Sequence, residues 1–129
     1  MAQLLDPAIV EREGTTAPIS EIARFLSDHL GQQATAYVAG VKGAAQVAKW
    51  IEGGTPPKGQ MTRLRLRDAY RAARLIVAAY DDATAEAWFF GSNSRLDDEA
   101  PAWVLRHARS LDELRMVVPA AKAFARAHE

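Results

Sequence analysis

The sequence contains no cysteine. Disulfides, thiolate metal sites and a cysteine nucleophile are therefore excluded, and a reducing compartment is the natural setting. No apolar run approaches the roughly 20 residues of a membrane span. The first residues also lack the basic-then-apolar pattern of a secretion leader. The expectation is a cytoplasmic protein that does not enter a membrane. Strand-like alternation is absent, and so is any glycine loop able to cradle a phosphate. Histidine is scarce: His29, His107 and His128 are scattered, and none stands at metal-ligand spacing with an acidic partner. The acidic run Asp97-Asp98-Glu99 precedes a helix start, where acids are favoured by the helix dipole. No metal, no cofactor and no enzymatic activity are expected.

What the chain does contain is helix. Its 129 residues are 49% apolar and 25% charged, which fits a globular all-α protein of one domain or two small subdomains sharing a core. The stretch from Gln33 to Lys58 is the most informative. Gln33–Ala39 reads as a short helix, Gly40-Val41-Lys42-Gly43 as a turn, and Ala44–Glu52 as a second helix ended by Gly53-Gly54 and Pro56-Pro57. Two short helices and a glycine-bearing turn form a helix-turn-helix pattern. An ordinary helical hairpin has the same spacing. In the second helix Val47, Trp50 and Ile51 should face inward, leaving Ala45, Gln46 and Lys49 outward. A small alanine permits close approach to a groove, glutamine can hydrogen-bond a base edge, and lysine can reach guanine or a phosphate.

The net charge of zero hides an asymmetry. Residues 1–41 hold two basic and five acidic residues, residues 42–74 eight and two, and residues 75–129 six and nine. The positive segment thus spans the second helix of the motif and the first turns of the long helix beyond it. Lys42, Lys58, Arg63 and Arg67 join Gln46 and Lys49 as candidate nucleic-acid contacts, because phosphate neutralisation supplies most non-specific affinity.

Other helices flank this stretch on both sides. Residues 1–17, with a short helix from Asp6-Pro7 through Arg12 that Gly14-Thr15-Thr16 should end, form an arm that is loosely held or serves an oligomer interface. Pro18–Leu30 is an amphipathic helix with Ile22, Ala23, Leu26 and Leu30 on its apolar stripe. A long helix over Gly59–Tyr80 is apolar on more than half its circumference, so neighbours should wrap it. Arg63, Arg67, Arg71 and Arg74 fall on one side of it, continuing a phosphate-facing surface or forming a solvated face. Asp82 should cap a helix ending at Phe90; of Trp88, Phe89 and Phe90, two should be core. Ala100-Pro101 opens another helix. Ser110 and Glu113 form a capping box for a last helix, which Pro119 should kink or divide.

The order of these pieces resembles the Xre/MbcA/ParS-type antitoxins of bacterial toxin–antitoxin pairs. TAYVAGVKGAAQVAKWIEGGTPPKG stands in the first half and AWFFGSNSRLDDEAPAWVLRHA in the second. The resemblance covers residues 18 to 125. It implies an Xre-like helix-turn-helix domain over 18–80 and a helical toxin-binding domain over 81–129. The implied partners are a RES-domain toxin that degrades NAD, operator DNA and a second copy of the chain. The implied toxin-binding residues are Trp88, Asn93, Arg95 and Trp103, with Phe124, Arg126, His128 and Glu129 in a C-terminal segment that blocks the toxin's active site. Deleting residues 120–129 should then abolish neutralisation and leave the fold. The same residues also suit a stand-alone helix-turn-helix regulator whose C-terminal half mediates dimerisation.

Overall fold

A computed structural model describes residues 5–127. Its α-helices are α1 (Pro7–Thr16), α2 (Ile19–Leu30), α3 (Gln32–Ala39), α4 (Ala44–Ile51), α5 (Gln60–Ala79), α6 (Asp82–Phe90), α7 (Pro101–His107), α8 (Leu111–Leu114) and α9 (Val117–Arg126). One turn of 3-10 helix, Ser94–Leu96, lies between α6 and α7. Among the described residues there is no strand, so the chain is all-α, as its periodicity indicates. None of these helices is long and apolar enough to cross a membrane.

The organising element is α5. Leu66, Ala69, Ala72, Ala73, Leu75, Ile76 and Ala79 are buried along it. It packs against α1, α2, α3, α6, α7 and α9. Buried alanines on one helix allow neighbours to approach closely, and burying an apolar side chain contributes about 1.5–3 kcal/mol. To one side, α2, α3 and α4 pack mutually, with Ile22, Leu26, Val38, Val47 and Trp50 between them. The turn from α3 to α4 is set by Gly40, whose φ of 82° is left-handed. Its N–H donates to the Ala36 and Tyr37 carbonyls, and Val41 N–H also donates to Ala36. That pattern satisfies the orphan carbonyls of α3.

Arginines close the other helix ends. Arg24 donates to the Ile51 carbonyl of α4, at 3.3 Å. Arg65 reaches from α5 to the Leu105 and Ala108 carbonyls at the end of α7, at 2.8 and 2.9 Å. Arg106 donates to Tyr37 and Val41 at the end of α3 and lies 4.8 Å from the Tyr37 ring centroid. Arg67 donates to Gly14 and Ala17 at the end of α1, both at 2.9 Å. A guanidinium suits these positions because it brings positive charge to the negative end of the helix dipole and several donors to unpaired carbonyls.

From residue 5 onward the N-terminal arm is therefore held firmly rather than loosely. The side of α5 carrying Arg67, Arg71 and Arg74 faces α1 rather than solvent or phosphate. Arg71 bonds Asp68 at 2.6 Å, Thr15 at 2.8 Å and Glu11 at 3.3 Å. Arg74 meets Glu13 at 3.1 Å and the Tyr70 hydroxyl at 2.9 Å. Nor does Gly14 end α1: it is buried inside the helix, where a Cβ would collide with the Arg71 side chain. Glycine here makes room for a cross-brace.

Burial pushes the Asp68 carboxyl above the ordinary aspartate value; its hydrogen bond to Arg71 opposes that without cancelling it. A carboxyl with a raised folded-state pKa binds more protons folded than unfolded between its two pKa values. Its contribution to stability thus falls as pH rises from the ordinary value through the raised one, and is flat above it. Relative to wild type, Asp68→Asn should gain in Tm as the pH is raised from about 3 to about 6. Thermal unfolding across that range checks the sign, and a Tm difference that fell or stayed level would contradict it.

The second half corrects the sequence reading at several points. Asp81, not Asp82, caps α6, accepting from Thr84 N–H at 2.7 Å. Asp82 instead pairs with His29 at 2.7 Å, joining the end of α2 to the start of α6. Ser110 caps α8 through Glu113 N–H, but the Glu113 carboxylate returns to Arg109 N–H, one residue earlier than an ideal box. The last helix is divided, as Pro119 leads one to expect, but the break falls at Arg115-Met116, ahead of the proline. Pro119 stands in the first turn of α9, where a missing N–H breaks no helical bond. Val117, Val118, Ala120, Ala121 and Ala125 of α9 are buried, and the helix packs along α5. Deleting residues 120–129 would uncover that face, so the cut should unsettle the fold rather than spare it.

Candidate nucleic-acid interface and docking cleft

In α4 the inward set is buried: Val47 fully and Trp50 nearly so, with Ile51 half-buried. Ala45, Gln46 and Lys49 are exposed on the other side. Gly43 precedes α4 in extended backbone and offers no side-chain cap, which leaves N–H groups of the first turn open. Gln46, Lys49 and Lys58 line one shallow depression of about 240 Å³, with Thr55 and Thr62. Arg63 does not project from this face. It donates to the Pro57 and Lys58 carbonyls at 2.7 and 3.0 Å, and so fixes the loop that carries Lys58. Lys42 is exposed in the turn before α4.

Arg67 lies apart from this group, at the end of α1. Burial, then the neighbouring Arg71 and Arg63 charges, hold its guanidinium below the usual arginine value. Arg65 is lowered likewise, by burial first and then by Arg106. Five of the eight basic residues in 42–74 thus serve intramolecular acceptors: Arg63, Arg65, Arg67, Arg71 and Arg74. The nucleic-acid set narrows to Lys42, Ala45, Gln46, Lys49 and Lys58.

The residues expected to face a protein partner divide in the same way. Trp88 is 7% exposed and packs on Phe89 and Phe124, with ring centroids 5.1 and 6.4 Å away. Phe124 is half-buried against the core and lies 5.0 Å from the Tyr80 ring. The Trp88 ring is engaged inside the protomer, whereas Phe124 is only partly buried. Asn93 is spent locally, its side chain accepting from Arg95 N–H at 3.0 Å and so capping the 3-10 turn. Asp97 and Asp98 continue that turn in left-handed backbone, at φ 55° and 65°. Arg95, Trp103 and Arg126 are at the surface. His128 and Glu129 lie outside the described residues.

Trp103 is the most informative of these. It is 43% exposed and stacked on His107, with centroids 4.3 Å apart. The two stand at i and i+4, so a helix brings them together. The His107 Nδ1 is 2.9 Å from the Trp103 carbonyl, which holds the stack in place. Together with Leu96, Val104 and Met116 they line a cleft of about 210 Å³, with Asp97, Glu99 and Glu113 also on its walls. Leu111 and Met116 are large apolar side chains left nearly half exposed. Sequence reasoning missed His107, Glu113 and Met116. The i, i+4 spacing of Trp103 and His107 was the available signal for the first; the other two depend on where the last helix breaks.

Among the described residues no group of three or more His, Cys, Asp or Glu could hold a metal ion. The fold and these surfaces define an all-α protein with one lysine-bearing helix face and one acidic, aromatic cleft. No family model, curated protein or solved structure matches the chain.

Proposed function

We propose that this chain acts by occupying other macromolecules, as an antitoxin that binds a RES-domain NAD-degrading toxin and represses its own operon through DNA. The observation that carries the DNA side is the outward face of α4. Ala45, Gln46 and Lys49 are exposed there, and no ion pair among the described residues claims Lys42, Lys49 or Lys58. A lysine that neutralises a phosphate releases counterions, so affinity should fall steeply with salt. Lys49→Ala with Lys58→Ala should lower the slope of log affinity against log salt by roughly two, at unchanged Tm. Filter binding over a salt series measures it. An unchanged slope would remove α4 from the interface.

For the protein partner we assign the Trp103 cleft, with Arg95 and Arg126, in place of the inward-packed Trp88. An aromatic anchor beside exposed Met116, with a polar rim, has the make-up of an interface hot spot. The docking of α9 along α5 favours a second reading, a regulator whose C-terminal half serves self-association, because α9 is not a free tail. Co-purification with the neighbouring reading frame separates the two: the antitoxin carries a partner, the regulator only its own copy.

A further inference from the structure

We propose that the groove between α1, α5 and the α8–α9 pair binds a small organic anion with an apolar body. It holds about 490 Å³, within the range of small-molecule sites. Leu64, Leu111 and Pro119 supply apolar surface to it. Arg67, Arg71, Arg115 and Lys122 also line it, against the acids Glu11 and Asp68.

The charges do not cancel in detail. Arg71 is matched by Asp68 and Glu11. Arg67 is bonded only to neutral carbonyls, and through a single nitrogen, Nη1. Its Nε and Nη2 donate to nothing among the described residues. The Arg115 and Lys122 side chains likewise have no ion pair or hydrogen bond there. Arg67, Arg115 and Lys122 thus have no ion-pair partner, and the four cations of the groove exceed its two acids by two, with Asp68 also feeling the Arg115 charge. Low-dielectric walls strengthen their field, and a guanidinium with free N–H groups matches a carboxylate or phosphate edge. A neutral ligand would leave this charge unanswered, and a bare inorganic ion would leave the apolar surface wet. The site is separate from the α4 face and from the Trp103 cleft, and stands or falls independently of either.

The test uses the full chain with three probes: phenyl phosphate, inorganic phosphate and benzyl alcohol. Titration calorimetry should show saturable binding of phenyl phosphate, binding of inorganic phosphate about tenfold weaker or less, and none of benzyl alcohol. Arg115→Gln with Lys122→Gln should weaken phenyl phosphate about tenfold or more, since charged hydrogen bonds are lost. Arg12→Gln, an exposed cation outside the groove, should leave it unchanged. Methyl resonances of Leu64 and Leu111 in the unmutated protein should shift on titration, which keeps the test independent of how the variants fold. The proposal is overturned if phenyl phosphate does not bind, if benzyl alcohol or inorganic phosphate binds as well, if the double variant binds unchanged, or if those methyls do not move.

Discussion

Replacing Arg71 by alanine is expected to destabilise the protein by about 3–5 kcal/mol, a large share of the roughly 5–15 kcal/mol typical of a domain. The reason is what the substitution leaves behind. The Arg71 side chain is 11% exposed and the Asp68 carboxylate 10%. Removing one partner of such a pair strands the other charge in a poor solvent. Arg71 also joins Glu11 and Thr15 of α1 to α5, so the helix should loosen as well. The paired substitution Arg71→Ala with Asp68→Ala should recover part of the loss, because no charge is then stranded, with a coupling of about 1–3 kcal/mol. Urea unfolding of the four proteins at pH 7 measures both quantities. A single-mutant loss under about 1 kcal/mol would mean that water reaches Asp68 freely and the brace is ornamental.

The second large effect concerns binding. Under the proposed antitoxin role, Trp103→Ala should weaken binding of the toxin by about 2–4 kcal/mol, some 30- to 1,000-fold, while Tm moves little. The asymmetry comes from exposure: nearly half of the residue already faces solvent, so the fold loses little with it. Trp103→Phe keeps an aromatic over His107 and should retain part of the affinity. Trp88→Ala makes the opposite control. Its ring is interior, so its loss should appear first in Tm, by about 3–5 kcal/mol of stability. Calorimetry of the complex alongside thermal unfolding separates the cases. Affinity unchanged in Trp103→Ala would place the protein interface elsewhere.

Much of this architecture could be read from the chain because helical periodicity and end signals are local. Val47, Trp50 and Ile51 announce the inner side of α4, and the apolar breadth of α5 announces its central position. The misreadings have a common cause: spacing says which residues share a side of a helix, not what lies opposite. Arg67, Arg71 and Arg74 share a side of α5, but only the placement of α1 shows them bonded to Gly14, Ala17, Glu11 and Glu13. Gly14 looked like punctuation for the same reason. The resemblance assigns Trp88 to a partner; its aromatic neighbours Phe89 and Phe124 turn it inward. Lys42, Lys49 and Lys58 stayed outside because no intramolecular acceptor competes for them.

The decisive measurement for the proposed antitoxin role is co-expression with a RES-domain NAD-degrading protein, followed by gel filtration and an NAD-consumption assay. Occupancy as the mode of action predicts one stoichiometric peak without NAD hydrolysis, and recovery of hydrolysis when Trp103 is replaced by alanine. Separate elution of a fully active NAD-degrading protein would contradict it.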